Sequence, residues 1–231
     1  MVDKKNLFLA TCKMISYSNE EQLGVGTSFF ARFRDTLFLF TTHHQLERST
    51  HVKILLLSEK GQARKDTLTI PTSQFITIVN FDLAMCDLTE AIAQKNSTKH
   101  LRLKAFGLEE NMDFLNDIDL LDDIYFIGYP SGLIDTQNLT PLMRRCSFSS
   151  LYSEDFSGEP TFIIDGSVFP GSSGSPVFHV GEKVSLLGIV TSSVIKQSEH
   201  DLQYIDLGKA TKTKAILAMA KAYMKGDFNH G

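Results

Sequence analysis

The chain has 231 residues, 42% of them hydrophobic and 22% charged, with a formal net charge of −4. This length and composition allow one large buried core or two small ones. A weakly acidic chain lacks the positive field that holds nucleic acid, and no apolar run is long enough to span a membrane, so we expect neither as a partner.

Short runs rich in β-branched and aromatic residues, separated by turn signals, dominate the first half of the chain. They predict six strands, at Leu7–Tyr17, Gly24–Phe33, Thr36–Thr41, Val52–Leu57, Thr67–Ile70 and Leu83–Leu88. A charged and more helical stretch, Thr89 to Asp123, then predicts a connection between two β units.

The second half repeats this pattern. It predicts six further strands, at Ile124–Tyr129, Thr140–Ser150, Thr161–Asp165, Ser175–Val180, Val184–Ser193 and Leu202–Leu207. Ile216, Met219, Ala220 and Tyr223 then recur with a helical period and predict a C-terminal helix packed on the second unit. Because closure removes exposed edges, we expect an all-β fold of two six-stranded antiparallel barrels, in domains 1–110 and 111–231.

The cysteines indicate the compartment. Cys12, Cys86 and Cys146 are an odd, scattered set without a C-x-x-C pair, which favours reduced thiols over disulfides or a zinc site. The apolar stretch Leu7–Cys12 is too short for a secretory signal, and the acidic run Asp113–Asp123 lacks the glycine and distal glutamate of an EF-hand. We therefore expect a cytoplasmic protein with no metal and no cofactor.

A stretch rich in serine and glycine, "FPGSSGSPVF", is the first candidate for chemistry. A nucleophilic serine needs a base, a group that orients the base, and amide donors for the developing oxyanion. Gly171 and Gly174 flank Ser173 and permit a sharp turn. The G-x-S-x-G elbow would need glycine in place of Ser175 and a helix after it, whereas "PVFHV" is typical of a strand. A simple hairpin turn remains the alternative.

The segment "GSSGSPVF" resembles the nucleophile motif of chymotrypsin-like serine proteases, and its Ser-Pro ending is similar to that of the bacterial glutamyl endopeptidases and the HtrA proteases. The segment "DIYFIGYPSGL" resembles the start of the second barrel in the glutamyl endopeptidases. The resemblance implies that Ser173 is the nucleophile and that the amides of Gly171 and Ser173 form the oxyanion hole.

Two further segments carry the resemblance. "GVGTSFFARFRDTLFLFTTHHQL" resembles the strands that lead to the catalytic histidine of this family, and its spacing selects His44, with His43 as the alternative. "NFDLAMCDL" is similar to the family's D-[LIV]-A motif and implies Asp82 rather than Asp87 as the acid. The chain thus has the order of the His-Asp-Ser triad, in which the imidazole transfers the proton and the carboxylate orients it.

Substrate contacts are also implied by the resemblance. The strand "KVSLLGIVTSS" corresponds to the edge that pairs with the substrate backbone. The binding residues would be Ser167, Val168, Thr191, Ser192 and Ser193. Because these residues are uncharged, we expect a neutral, small or apolar residue before the scissile bond, with Asp201 or Asp206 as possible sources of a charge.

Ser172 stands where zymogens of this family have an aspartate. This departure implies a site that is preformed or controlled by a protein regulator. We therefore expect a serine endopeptidase that acts on peptides or proteins through an acyl-enzyme, and the alternative is a catalytically inactive, protease-like module that binds peptides.

Overall fold

A computed structural model describes residues 5–57, 65–109, 118–197 and 202–228. Three α-helices lie in these ranges: α1 Lys5–Leu9, α2 Thr89–Lys99 and α3 Thr213–Lys225. The strands of the first half are β1 Thr11–Ser18, β2 Glu21–Phe33, β3 Thr36–Thr41, β4 His51–Leu57, β5 Lys65–Pro71, β6 Ile76–Ile78, β7 Leu83–Asp87 and β8 Phe106–Gly107. Those of the second half are β9 Ile124–Gly128, β10 Leu142–Phe148, β11 Thr161–Asp165, β12 Pro176–Val180, β13 Val184–Gln197 and β14 Leu202–Lys212.

The second half forms a closed barrel in the order β10-β11-β14-β13-β12-β9, and its strand pairs are antiparallel. The predicted C-terminal barrel of six strands is therefore confirmed. Alternate side chains of these strands fill its interior, as expected for a small barrel. Its core includes Phe126, Phe162, Val177 and Leu187.

The first half forms an eight-stranded sheet that is not closed within the described residues, so the prediction of a second, six-stranded barrel is not confirmed. The strand order is β5-β4-β1-β2-β3-β7-β6, and β8 pairs parallel to β2. The strands β5 and β6 are joined by the turn Thr72–Gln74 instead of by a ladder, and the three-residue β6 pairs with β7. The predicted domain boundary, between residues 110 and 111, lies outside the described residues.

The helix α3 joins the two halves. Its buried residues belong to a cluster that also contains Phe29 and Phe40 of the first sheet and Phe178 of the barrel. The Tyr223 ring meets the Phe38 ring edge-on, with 5.4 Å between centroids. The predicted helix is present, but it packs against both halves and not only the second, because the apolar cluster under it is built from residues of both.

The three cysteines are buried and free. Burial raises the pKa of the Cys12, Cys86 and Cys146 thiols to about 12.

No helix in the described ranges has the length and apolar character that a bilayer crossing requires. In the same ranges, no three His, Cys, Asp or Glu side chains are grouped so that they could hold a metal ion.

Candidate active site

Antiparallel pairing brings the candidate histidine and aspartate to one end of the first sheet. The last residue of β3, Thr41, pairs with Ala84 near the start of β7. The residues after β3 and those before β7 therefore meet at the same edge. A short 3₁₀ turn, His43–Gln45, follows β3, and Asp82 directly precedes β7.

His44 and Asp82 form two hydrogen bonds. One carboxylate oxygen lies 2.7 Å from His44 Nδ1, and the other accepts the His44 backbone N–H at 2.9 Å. Asp82 has a φ of +49°, a left-handed conformation that aspartate tolerates better than most residues. An ionised carboxylate accepts a hydrogen bond, so the ring carries its proton on Nδ1 and donates it to Asp82. In this neutral tautomer Nε2 has no proton and can accept one. The ring can therefore act as a base.

The alternative residues have other contacts. His43 Nε2 lies 3.7 Å from Glu47, the acidic residue one turn further on. Asp87 accepts the backbone N–H of Thr89 at 2.9 Å and the hydroxyl of Tyr223 at 3.2 Å. Asp87 thus stabilises the start of α2. His43 contacts Asp82 only through its backbone N–H, which donates to the Asp82 carbonyl at 3.3 Å, and the contacts with the Asp82 carboxylate belong to His44.

The candidate nucleophile follows a tight turn. The Ser172 N–H donates to the Phe169 carbonyl at 2.9 Å, and Gly171 has a φ of +89°. Proline at the second position and glycine at the third are typical of a type II turn, which requires a positive φ at the third. Gly174 has a φ of +87°, and a Cβ there would lie 1.9 Å from the carbonyl oxygen of Thr27. Only glycine fits this position without a shift of the backbone.

Ser173 contacts both halves of the protein. Its carbonyl oxygen accepts the Thr27 N–H at 3.0 Å and the Gln45 side-chain amide at 2.6 Å, both from the first half of the chain. Its hydroxyl donates to the Thr191 carbonyl at 3.2 Å instead of to the His44 ring. Because Gln45 is adjacent to His44 in the chain, the nucleophile loop lies beside the histidine at the junction of sheet and barrel.

Two amides of this loop have no acceptor among the described residues: the N–H groups of Gly171 and Ser173. The amides next to them are satisfied, since Ser172 donates to Phe169 and Gly174 donates to Val190 at 2.8 Å. Buried or partly buried backbone donors are rarely left unpaired in folded proteins. A pair of free donors beside a serine can receive the negative charge of an oxyanion.

A cavity of about 200 Å³ opens beside the loop. Three of the five residues predicted to bind substrate line it; its lining is formed by Ser167, Val168, Phe169, Pro170, Ser193, Asp206 and Leu207. The predicted residues Thr191 and Ser192 are outside this lining. Thr191 is buried and its hydroxyl donates to the Lys209 carbonyl at 3.1 Å, whereas Ser192 is exposed on β13.

Sequence reasoning missed two contacts at the site. Gln45 reaches a carbonyl 128 positions away. The guanidinium of Arg144 donates to the Ser167 carbonyl and lies 5.3 Å from the centre of the Phe169 ring, so it supports the cavity wall. No local pattern marks such contacts, although the position of Gln45 directly after the histidine pair makes it a neighbour of the site.

No family model and no curated protein matches the sequence. Solved structures match the fold: the HtrA-type protease AlgW with a tripeptide (TM-score 0.65, 16% identity), an AlgW variant with a tripeptide (0.63, 17%) and a serine endoprotease from Yersinia pestis (0.62, 16%). Each match covers 96% of this chain and 62%, 63% and 65% of the other chain, respectively. The chain spans about three-fifths of the length of AlgW. The chain therefore has a fold similar to that of these HtrA-type proteases.

Proposed function

We propose that this protein is a serine endopeptidase that hydrolyses peptide bonds through an acyl-enzyme. One observation carries the proposal: His44 Nδ1 lies 2.7 Å from Asp82, and the next residue, Gln45, is bonded to the backbone of Ser173. An imidazole oriented by a carboxylate, next to a serine with free amide donors, is the set of groups that acyl transfer requires.

In the proposed mechanism, Ser173 Oγ attacks the scissile carbonyl carbon while His44 Nε2 takes its proton. The N–H groups of Gly171 and Ser173 stabilise the resulting oxyanion. His44 then protonates the leaving amine, and the acyl-enzyme remains. A water molecule, deprotonated by His44, then attacks the acyl carbon. The bond from that carbon to Ser173 Oγ breaks, His44 returns the proton to Ser173, and the acid leaves, while Asp82 orients the ring throughout. Before attack, the Ser173 hydroxyl must leave the Thr191 carbonyl, to which it donates at 3.2 Å, and turn towards His44.

The proposed substrate is an extended peptide. The ladder between β12 and β13 ends at the pair Pro176–Ile189, and Val190 is bonded to Gly174 and Ser175 of the loop. The residues of β13 beyond Val190 therefore offer an edge for a further strand. The cavity beside this edge is lined mainly by apolar groups, which supports a small or apolar residue before the scissile bond. The buried free thiols are compatible with the cytoplasm, where we expect narrow specificity or a protein regulator to limit the activity.

A second candidate function is a peptide-binding module without turnover. The observation that favours it is the hydrogen bond from Ser173 Oγ to the Thr191 carbonyl, which directs the hydroxyl away from His44. Such a module would keep the β13 edge and the cavity but would not form an acyl-enzyme.

Covalent labelling separates the two functions. The purified protein and its Ser173→Ala variant are treated with a fluorophosphonate, and the adduct is mapped by mass spectrometry. An endopeptidase is labelled at Ser173, and cut sites appear in a diverse peptide library only with the unmodified protein. A binding module retains peptides but stays unlabelled, and this outcome would remove the proposed hydrolysis.

A further inference from the structure

A buried threonine connects the first sheet to the turn that carries the free amides. Thr27 lies on β2, and its side chain is fully buried. Its hydroxyl donates to the Gly171 carbonyl at 2.8 Å and accepts the backbone N–H of Tyr129 at 3.1 Å. One hydroxyl therefore satisfies a donor and an acceptor from two different loops of the barrel.

The segment Tyr129–Gly132 holds the same turn from the other side. The Ser131 N–H donates to the Pro170 carbonyl at 2.5 Å. In a trans peptide the carbonyl and the N–H point in opposite directions, so this bond directs the Gly171 N–H away from Ser131. If the Pro170–Gly171 peptide rotated, the Pro170 carbonyl oxygen would replace the Gly171 N–H on the side of the oxyanion and would repel it.

The hydroxyl of Thr27 fixes the next peptide unit. The Gly171 carbonyl and the Ser172 N–H share one plane, which is held by Thr27 at one end and by Phe169 at the other. The Ser173 carbonyl is also held by the Thr27 N–H at 3.0 Å. The peptide that carries the Ser173 N–H thus lies between two fixed planes, and Thr27 contacts both of these planes.

We propose that the Thr27 hydroxyl is a positioning group that keeps the Gly171 and Ser173 amides directed at the oxyanion. This inference rests on the proposed endopeptidase function and names a residue that the resemblance does not assign. Hydrogen bonds in such a chain, from Tyr129 N–H through the hydroxyl to the Gly171 carbonyl, polarise one another in a dry interior. Replacement of the hydroxyl leaves the Tyr129 N–H and the Gly171 carbonyl without this partner.

The test compares Thr27→Val, which keeps the β-branched shape and removes the hydroxyl, with Thr27→Ser, which keeps the hydroxyl. The rate of fluorophosphonate labelling at Ser173 is measured together with kcat and KM for a peptide cut by the unmodified protein. Loss of one oxyanion donor lowers kcat by about a hundred- to a thousandfold, and a donor that is only displaced lowers it by less. We expect labelling and kcat to fall about 10- to 100-fold in Thr27→Val, with KM within about twofold, and to recover in Thr27→Ser.

Thr213→Val is the matched control. Thr213 is the first residue of α3, and its side chain is equally buried. Its hydroxyl donates to the Leu186 carbonyl of β13 at 2.6 Å and not to the nucleophile loop. The Thr213→Val variant shows how the loss of a buried hydroxyl changes stability when the nucleophile loop is not involved. We expect its kcat to be unchanged at temperatures below its unfolding transition. If Thr27→Val does not fold, Thr27→Ala replaces it, and the same loss of labelling is expected.

Amide hydrogen exchange keeps the inference separate from the proposed function. The exchange rates of the Tyr129 and Ser172 amides are compared in the unmodified protein, Thr27→Val and Thr213→Val. We expect at least about tenfold faster exchange at both amides in Thr27→Val alone, whether or not the protein labels. Unlabelled wild-type protein would contradict the endopeptidase. If the protein is labelled, an unchanged labelling rate in Thr27→Val would overturn the role of Thr27. If the protein is not labelled, unchanged exchange of the Tyr129 and Ser172 amides in Thr27→Val would overturn it.

Discussion

The side-chain amide of Gln45 donates to the carbonyl oxygen of Ser173 at 2.6 Å. The same nitrogen lies 2.8 Å from the hydroxyl of Thr42, so the side chain is held at both the histidine turn and the nucleophile loop. Gly26 makes room for it, since a Cβ on Gly26 would lie 1.4 Å from Gln45 Oε1. A glycine of the first sheet therefore decides where Gln45 can lie.

Gly26→Ala should displace Gln45 from Ser173. We expect about a fivefold lower rate of fluorophosphonate labelling, because one hydrogen bond of about 1 kcal/mol is lost while the Thr27 N–H still holds the Ser173 carbonyl. Gly24→Ala is the control, since a Cβ there would lie at an ordinary 3.5 Å from Ser16 Oγ. Equal labelling rates in the two variants would show that Gln45 does not help to place Ser173.

Asp82→Asn should remove most of the activity. The amide keeps the size of the side chain but offers no charge to the imidazolium and can hold the ring in the wrong tautomer. We expect kcat to fall by about 10³- to 10⁴-fold, measured with a peptide identified in the library. Asp87→Asn serves as the comparison and should keep kcat within a few fold. A similar loss in both variants would assign the effect to stability.

Ser193→Leu should narrow the cavity beside Ser173. The unmodified protein should cut after alanine, valine or leucine, because the cavity of about 200 Å³ has a mainly apolar lining. In the variant, kcat/KM should fall about 10- to 100-fold for a leucine substrate and change little for an alanine substrate. The alanine substrate is the internal control. Cleavage chiefly after lysine or arginine would instead assign the pocket to the Asp206 carboxylate.

Asp155→Asn should lower stability in a pH-dependent way. Hydrogen bonds from Lys214, and also from Lys212, lower the pKa of Asp155 below its ordinary 3.8. A lowered folded-state pKa adds stability above pH 3.8, and this stability is lost as the pH falls through the folded-state pKa. We expect a loss of about 1 kcal/mol at pH 7, since the carboxylate is partly exposed, and almost none in strong acid.

Thermal unfolding from pH 2 to 8 measures this effect. Asp123→Asn provides the comparison, because its pair with Arg145 is more exposed, with side-chain exposures of 50% and 68%. We expect that variant to lose less stability than Asp155→Asn at pH 7. A loss in Asp155→Asn that is the same at pH 2 and pH 7 would contradict the role of its charge.

The C-terminal barrel could be predicted because its strands alternate and its turns carry clear signals; β11, Thr161–Asp165, has the predicted bounds. Closure of the first sheet could not be predicted, because it depends on whether two distant edges pair. The two-residue β8, Phe106–Gly107, is too short to show a period, and its partner on β2 is 75 residues earlier (106 − 31). Its segment was predicted only as a connection.

The candidate site could be predicted where a motif carries it. The turn around Ser173 has the proline and glycines that its φ angles require, and the contact of Asp82 with His44 follows from the pairing of β3 and β7. Thr27 and Gln45 could not be found in this way. Their bonds to the nucleophile loop span more than a hundred residues and depend on how the sheet meets the barrel.

The cluster that α3 completes has a mechanical consequence. Phe106 of the first sheet and Phe178 of the barrel lie 6.1 Å apart between ring centres, in the same cluster as Ile216. A hinge between the halves would have to expose these rings to water, at about 25 cal/mol for each Å². The proposed substrate site along β13, beside the cavity, should therefore keep a constant width. If the chain is an endopeptidase, a globular substrate must present a loose loop or a frayed end to reach this site.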